Sequence, residues 1–298
     1  MYHLPVMPFE SIQHLNIVQG GTYVDATYGG GGHSKLILEK LDNGKLIAFD
    51  QDTDAISNVI DDPRLVFINK NFRFMANYLG FYKHIPVDGV FADLGVSSHQ
   101  IDEPSKGFSY MHPHEALDMR MDTSSSLMAA DILNTWDEGT LAQLFFKYAE
   151  LPFSRKLATD IVKYRNNKFF EVAGDLLNVI DRFVRPDKRF GVYSRVFQAL
   201  RIEVNDEMGA LEQLLEQAYA VLKPGGRIVV ISYHSIEDRI VKNFFRSGRT
   251  DGHIEKDFYG NRKEYFRIVT RKPIVASQEE INNNSRARSA KLRVAEKI

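Results

Sequence analysis

Val24-Asp25-Ala26-Thr27-Tyr28-Gly29-Gly30-Gly31-Gly32-His33-Ser34 reads as a short strand ending in an acid, a four-glycine turn and the first turn of a helix. Consecutive glycines let the backbone come close to a ligand, because φ is free to go positive. The helix start that follows directs unpaired N–H groups at the same place. Ala48-Phe49-Asp50 closes a second strand with another acid. A glycine turn after one strand and an acid after the next is the nucleotide-binding logic of an open α/β sheet.

The glycines exclude two common ligand classes. In the dinucleotide fingerprint G-x-G-x-x-G, the third glycine falls on Ser34 counting from Gly29 and on Lys35 counting from Gly30, so the pattern fails in both registers. No Gly-Lys-Ser/Thr follows, so the phosphate loop fails as well. What remains suits a nucleoside without a pyrophosphate, and S-adenosylmethionine is one. Its ribose needs an acceptor such as Asp50, its sulfonium favours a nearby carboxylate, and its amino-acid carboxylate suits a helix N-terminus.

Working outward, Lys45–Asp50, Arg64–Asn69, Val87–Leu94 and Gly226–Tyr233 are short, nearly continuous apolar runs, as expected of parallel strands buried on both faces. Helical stretches follow several of them: residues 33–41, 54–60 with Asp52 or Thr53 as N-cap, and 72–81. A long helix over residues 205–222 is expected, capped by Asn205 and stopped by Lys223-Pro224-Gly225-Gly226. Tyr265–Arg271 and Ala290–Ala295 suit an antiparallel edge. Between the fourth strand and the long helix lie about a hundred residues, too many for a crossover loop. Helical periodicity recurs there at 126–133, 138–148, 153–166 and 171–183. The expected fold is therefore α/β, a Rossmann-like doubly wound sheet with an inserted all-helical domain. Residues 1–103 with 201–298 form the sheet domain, and residues 104–200 form the insertion. The insertion leaves the carboxyl end of the fourth strand, the edge where open sheets bind ligands. It is expected to recognise substrate or cover it.

The composition limits the chemistry. The chain has no cysteine, which excludes disulfides, thiolate metal sites and a cysteine nucleophile. A pyrimidine could not be activated by thiolate attack on its ring, whereas direct transfer to a nucleophilic atom remains open. The apolar runs are too short for a membrane span, and Met1–Pro5 lacks the pattern of a secretory signal. A cytoplasmic protein is expected. The net charge of −1 gives no sign of nucleic acid, but Asn284–Arg293 holds four cations and no acid. Arg182, Arg185, Lys188 and Arg189 form a second basic stretch, against Asp181 and Asp187. Most charge runs are solvated faces, and phosphate contact stands beside that reading for the C-terminal segment. The sequence leaves monomer and homodimer open.

The candidate reacting group is Asp93, at the end of the fourth strand in Ala92-Asp93-Leu94-Gly95-Val96-Ser97-Ser98-His99-Gln100. An exocyclic base amine shares its lone pair with the ring. An acceptor on its N–H concentrates electron density on nitrogen for in-line attack on a methyl group. The alternative is that Asp93 merely caps the turn at Ser97–Gln100. Asp118, Arg120 and Asp122 alternate along Leu117–Asp122, so in an extended segment they share a face, either as a site wall or as an Asp–Arg–Asp bridge holding the insertion to the sheet. Tyr233 could stack on a base, and His234 could line the pocket or serve structure alone. Phe72 could cover an adenine or be a plain core aromatic. His112 and His114 lack partner ligands, and no metal site is expected.

Taken together, several segments resemble the RsmH (MraW) family of bacterial S-adenosylmethionine-dependent methyltransferases. They are His3–Val6, Asp25–Ser34, Asp50–Asp52, Asp88–Asp102, Gly107–Tyr110, Leu117–Asp122, Phe197–Asn205, His234–Lys242 and Ser285–Arg293. They occur in family order and span nearly the whole chain. The resemblance implies methylation of a cytidine N4 in the decoding region of 16S ribosomal RNA, with the small ribosomal subunit as partner. It implies cofactor contacts from Gly31, Gly32, His33, Asp50, Phe72, Asp93 and Gln100; the catalytic candidates beside them are Asp93 as amine acceptor and Asp118 as a wall or orienting acid. Lys106, His99, Ala149-Glu150-Leu151 and a short segment between Phe245 and Tyr265 depart from the family pattern and touch substrate contacts more than the cofactor site. Two other readings stand beside this one. One is a non-catalytic RNA-binding factor for ribosome assembly that keeps the fold. The other is a nicotinamide dehydrogenase, against which Ser34 and Lys35 already argue.

Overall fold

The structure, a computed structural model, describes residues 5–256 and 258–298; His3 and Leu4 of the N-terminal motif lie outside these residues. The strands are β1 (Thr22–Asp25), β2 (Lys45–Phe49), β3 (Leu65–Ile68), β4 (Val87–Asp93), β5 (Leu222–Ser232), β6 (Phe266–Ile268), β7 (Ile274–Val275) and β8 (Lys291–Lys297). They form one sheet in the order β3-β2-β1-β4-β5-β8-β6, with β7 on β8. The first five strands run parallel, and β8 lies antiparallel between β5 and β6. The order reverses between β1 and β4, so the carboxyl ends of β2, β1 and β4 meet at the topological switch point, where such sheets bind ligands.

Side-chain alternation explains why these strands read as apolar runs. Val24, Ile47, Phe49, Val90, Ala92, Ile228 and Val230 face one core with helices Met75–Phe81, Glu207–Val221 and Ser235–Ser247. Tyr23, Leu46, Phe91, Val229 and Ile231 face the other, with Ile37 and Leu38 of helix Gly32–Lys40 and Leu15 of helix Pro8–Leu15. Both faces are covered, so polar residues have no place along the strands until the ends.

The chain divides into two compact units, Met1–Gly95 with Met208–Ile298, and Val96–Glu207. The second unit is helical, built from Ser98–Asp102, Ala129–Thr135, Glu138–Ala149, Ser154–Arg165, Ala173–Ile180 and Arg189–Val204. Its core holds Phe145, Leu157, Ile161, Leu176, Val179, Val196 and Leu200, all fully buried.

Three local expectations change. The turn after β2 is a 3-10 helix, Thr53–Asn58, capped by Asp52 as expected. The segment after β3 begins as a 3-10 turn, Phe72–Phe74, before helix Met75–Phe81. Asn205 does not cap the long helix. It closes helix Arg189–Val204, and Asp206 turns the chain at φ 45°. Asn205 instead clamps an irregular segment of the helical unit, in which Met119 sits at φ 64°. Its Oδ1 accepts the Met121 N–H (2.8 Å), and its Nδ2 donates to Met119 O (2.8 Å) and Arg201 O (2.9 Å). Asn205→Ala leaves these backbone groups unpaired and is expected to destabilise the chain by about 1–3 kcal/mol, read as a lower midpoint in denaturant unfolding.

Candidate active site

The site grows from three strand ends. Asp25, the last residue of β1, is fully buried. Its Oδ2 accepts the Ser34 hydroxyl (2.6 Å) and its Oδ1 the Thr27 N–H (3.0 Å), so it ties the strand end to helix Gly32–Lys40 across the glycine turn. Within that turn Gly31 sits at φ 76°, and a Cβ there would collide with the Tyr28 ring. A Cβ on Gly29, at φ 53°, would meet nothing within 4 Å, so the left-handed backbone faces open space at this point.

Asp50 follows β2 directly. Its Oδ2 accepts the Gly29 N–H (2.7 Å) and its Oδ1 the Asp52 N–H (2.9 Å). A carboxylate has about four acceptor positions, so capacity remains beyond these two bonds. Burial pushes both Asp25 and Asp50 up to about 6. Phe72 opens the turn after β3 and packs, partly buried, on the core. Its neighbour Asn71 donates to Gln51 Oε1 (2.7 Å), which fastens this turn beside Asp50.

Asp93 ends β4. The Thr27 hydroxyl accepts its backbone N–H (2.7 Å), and Tyr233 donates its hydroxyl to Oδ1 (2.7 Å). Asp93 therefore has tertiary partners, while the Ser97 turn is capped by the Ser97 side chain itself. Burial, with the charges of Asp25 and Glu237, pushes Asp93 up to about 7 against the Tyr233 hydrogen bond. His33 lies beside it, with Nδ1 3.8 Å from Oδ2. His33 Nε2 is 2.9 Å from Val6 O, a carbonyl that can only accept, so Nε2 carries the proton and Nδ1 presents a lone pair. Burial holds His33 down to about 4, and the ring is neutral at physiological pH. Gly32 closes the turn, where a Cβ would press on Pro5 at 3.3 Å.

The remaining candidates divide differently. His234 caps helix Ser235–Ser247 together with Glu237, which is the structural reading. Tyr233 faces Asp93 and does not stand free as a stacking surface. Gln100 and Asp118 belong to the helical unit. Gln100 is buried, and its Oε1 accepts the Ser97 N–H (3.0 Å) in a capping box. Both oxygens of Asp118 are held by Arg120, from Nε (2.7 Å) and Nη2 (2.8 Å). Burial raises the Asp118 pKa, but the hydrogen bonds and charge of Arg120 outweigh it and hold the carboxyl below its ordinary range. Arg120 also donates to Thr123 O and Ser125 O, so the Asp118–Arg120 bridge shapes its own loop. Two site residues escaped sequence reasoning, Thr27 and Ser34. Both lie in the opening stretch, but their partners are set by the strand ends.

Among the described residues, no lysine or arginine pairs with Asp25, Asp50 or Asp93. Three desolvated acids without a cation favour a ligand that carries positive charge, and a sulfonium nucleoside meets that requirement. An open doubly wound sheet with a glycine turn after β1 and acids ending β1, β2 and β4 defines an S-adenosylmethionine-dependent methyltransferase. Residues 1–298 match the MraW methylase family, and the chain belongs to it. It is 51% identical over 299 residues to "Ribosomal RNA small subunit methyltransferase H" of Parabacteroides distasonis, covering 100% of this chain and 98% of that protein. The protein of the same name from Phocaeicola vulgatus is 50% identical, with 100% and 98% covered. That from Bacteroides thetaiotaomicron is 49% identical, with 99% and 97% covered.

A carboxyl whose folded pKa exceeds its unfolded value binds its proton more tightly in the folded state, so stability falls as pH rises between the two values. For Asp93 that window runs from 3.8 to about 7. Asp93→Asn removes the buried charge. It is expected to raise the thermal midpoint of the ligand-free chain, more at pH 8 than at pH 5. An equal change at the two pH values would contradict the assignment.

Proposed function

We propose that the chain transfers a methyl group from S-adenosylmethionine to the exocyclic N4 of a cytidine in the decoding region of 16S ribosomal RNA, acting in the cytoplasm on the small ribosomal subunit. The observation that carries this reading is Asp93, an acid at the switch point with one oxygen held by Tyr233 and the other facing neutral His33. When bound, the cofactor supplies a methyl group activated by its sulfonium. Asp50 holds the ribose hydroxyls, and the backbone of Gly29–Gly32 approaches the amino-acid end at the helix start. Gly31, Gly32, His33 and Phe72 complete the contacts, with Phe72 against the adenine.

Asp93 accepts a hydrogen bond from the substrate amine and orients its nitrogen toward the methyl. As the N–C bond forms and the methyl–sulfur bond breaks, the nitrogen carries a surplus proton, which passes to Asp93. A base with a pKa near the working pH suits both tasks. Positioning supplies much of the remainder, since effective molarity can account for about 7–11 kcal/mol of a barrier. We assign Asp118 to ordering its loop through Arg120, and the 96–207 unit to substrate recognition. RNA as substrate is supported by the names of the relatives. It is also supported by the basic segment Ser285–Ser289, which leads into β8 where Lys291 pairs with Ser232 at the carboxyl end of β5. Lys291, which also pairs with Asp238 (3.6 Å), stands at the edge that carries the strand-end acids, and Arg286 and Arg288 precede it in the chain.

Mass mapping of methylated nucleosides in small-subunit RNA, with and without this protein, tests the reaction. One N4-methylated cytidine that depends on the protein is expected. RNA binding without methyl incorporation would favour the non-catalytic assembly factor instead. Asp50→Ala is expected to weaken cofactor binding by about tenfold or more in calorimetry, given about 1.5–3 kcal/mol for a charge-assisted hydrogen bond; unchanged affinity would remove Asp50 from the site.

A further inference from the structure

Asp93 stands where a carboxylate is hard to keep ionised. Asp25 faces it from the end of β1 and Glu237 from helix Ser235–Ser247, both negative, and neutral His33 faces it from helix Gly32–Lys40. Among the described residues, the hydrogen bond to Asp93's side chain comes from Tyr233, at 2.7 Å to Oδ1. His33 cannot donate one, because its proton is on the far nitrogen, toward Val6 O.

Tyr233 is itself fixed at both ends. Its backbone N–H donates to Glu237 Oε2 (2.8 Å), and its ring packs against the core that contains Phe91 and Ile231. Gly95 runs close beneath the ring, where a Cβ would lie 3.6 Å from Cδ2. Burial and the charges of Asp93, Glu237 and Glu280 hold the phenol well above its ordinary range, so it remains a donor throughout the working pH.

We propose that Tyr233 is a positioning residue for methyl transfer, its hydroxyl fixing Oδ1 of Asp93 so that Oδ2 is the oxygen presented to the substrate amine. This rests on the reading of Asp93 as the acceptor of that amine. The hydroxyl has a second consequence. It favours the ionised carboxyl, the form that can accept the amine's hydrogen bond, against the burial and the two acids that oppose it.

The test is Tyr233→Phe in the full chain, which keeps the ring and its packing. The ionisation of Asp93 is followed by carbon NMR of labelled aspartate in the ligand-free protein, with Asp93→Asn identifying the resonance. The midpoint is expected to rise by about one pH unit or more. The acid limb of the kcat/KM profile on unmethylated small subunits is expected to move up with it, and the alkaline plateau of kcat, where Asp93 is ionised in both chains, is expected to fall by about tenfold because its orientation is no longer fixed. Cofactor affinity at pH 9 is expected to change less than about twofold. An unmoved midpoint overturns the proposal. So does an acid limb that stays in place while activity falls, which is the mark of a merely structural contact. The titration needs no substrate. A wild-type chain that transfers no methyl therefore refutes the reaction, while the tie between Tyr233 and Asp93 is judged separately by the NMR midpoint.

Discussion

Three carboxyl groups meet at adjacent strand ends with no basic side chain among the described residues to neutralise them. Asp25, Asp50 and Asp93 are brought together by strand order, because β2, β1 and β4 are neighbours, β1 and β4 end in an acid and Asp50 follows β2 directly. Desolvation raises all three, and each is partly supported by backbone or hydroxyl donors. Asp25 uses its oxygens to hold the glycine turn against its strand. Asp50 reaches across to Gly29, and Asp93 takes the Tyr233 hydroxyl. The unbalanced charge is a structural cost of the ligand-free protein, and in the proposed reading it favours a cationic nucleoside over a pyrophosphate ligand.

The sheet was legible in the sequence because burial on both faces leaves unbroken apolar runs with polar residues only at their ends. For the same reason Asp50 and Asp93 stood out: an acid directly after such a run has few places to go except the strand end. The Asp52 cap could be read from its local pattern. Other features depended on distant partners. Asn205 has a good N-cap side chain, yet its hydrogen bonds go to Met119 and Met121, more than eighty residues away. Helix Arg189–Val204 buries Val192, Tyr193, Val196, Phe197, Ala199, Leu200, Ile202 and Val204, a face so wide that its period is faint. Tyr233 and Asp93 are 140 residues apart, and no spacing rule joins them.

The helical unit shows how an alternating charge pattern resolves. Asp118 and Arg120 form a bidentate pair that also gathers the carbonyls of Thr123 and Ser125, all within the helical unit, and not the expected Asp–Arg–Asp tie to the sheet. Of the basic stretch before helix Arg189–Val204, Arg182 and Arg189 lie 3.7 Å from Asp160 and Asp181, pairings that the linear charge count hides. His234 likewise belongs to a helix cap.

The account stands on the match between buried negative charge and a positively charged sulfur. Calorimetry of S-adenosylmethionine binding, compared with its neutral thioether product in buffers of different ionisation enthalpy at pH 6.5, measures this directly. The sulfonium is expected to bind more tightly and to expel more protons from the site, because it favours ionised Asp25, Asp50 and Asp93. Equal affinity and equal proton release for the two ligands would contradict it.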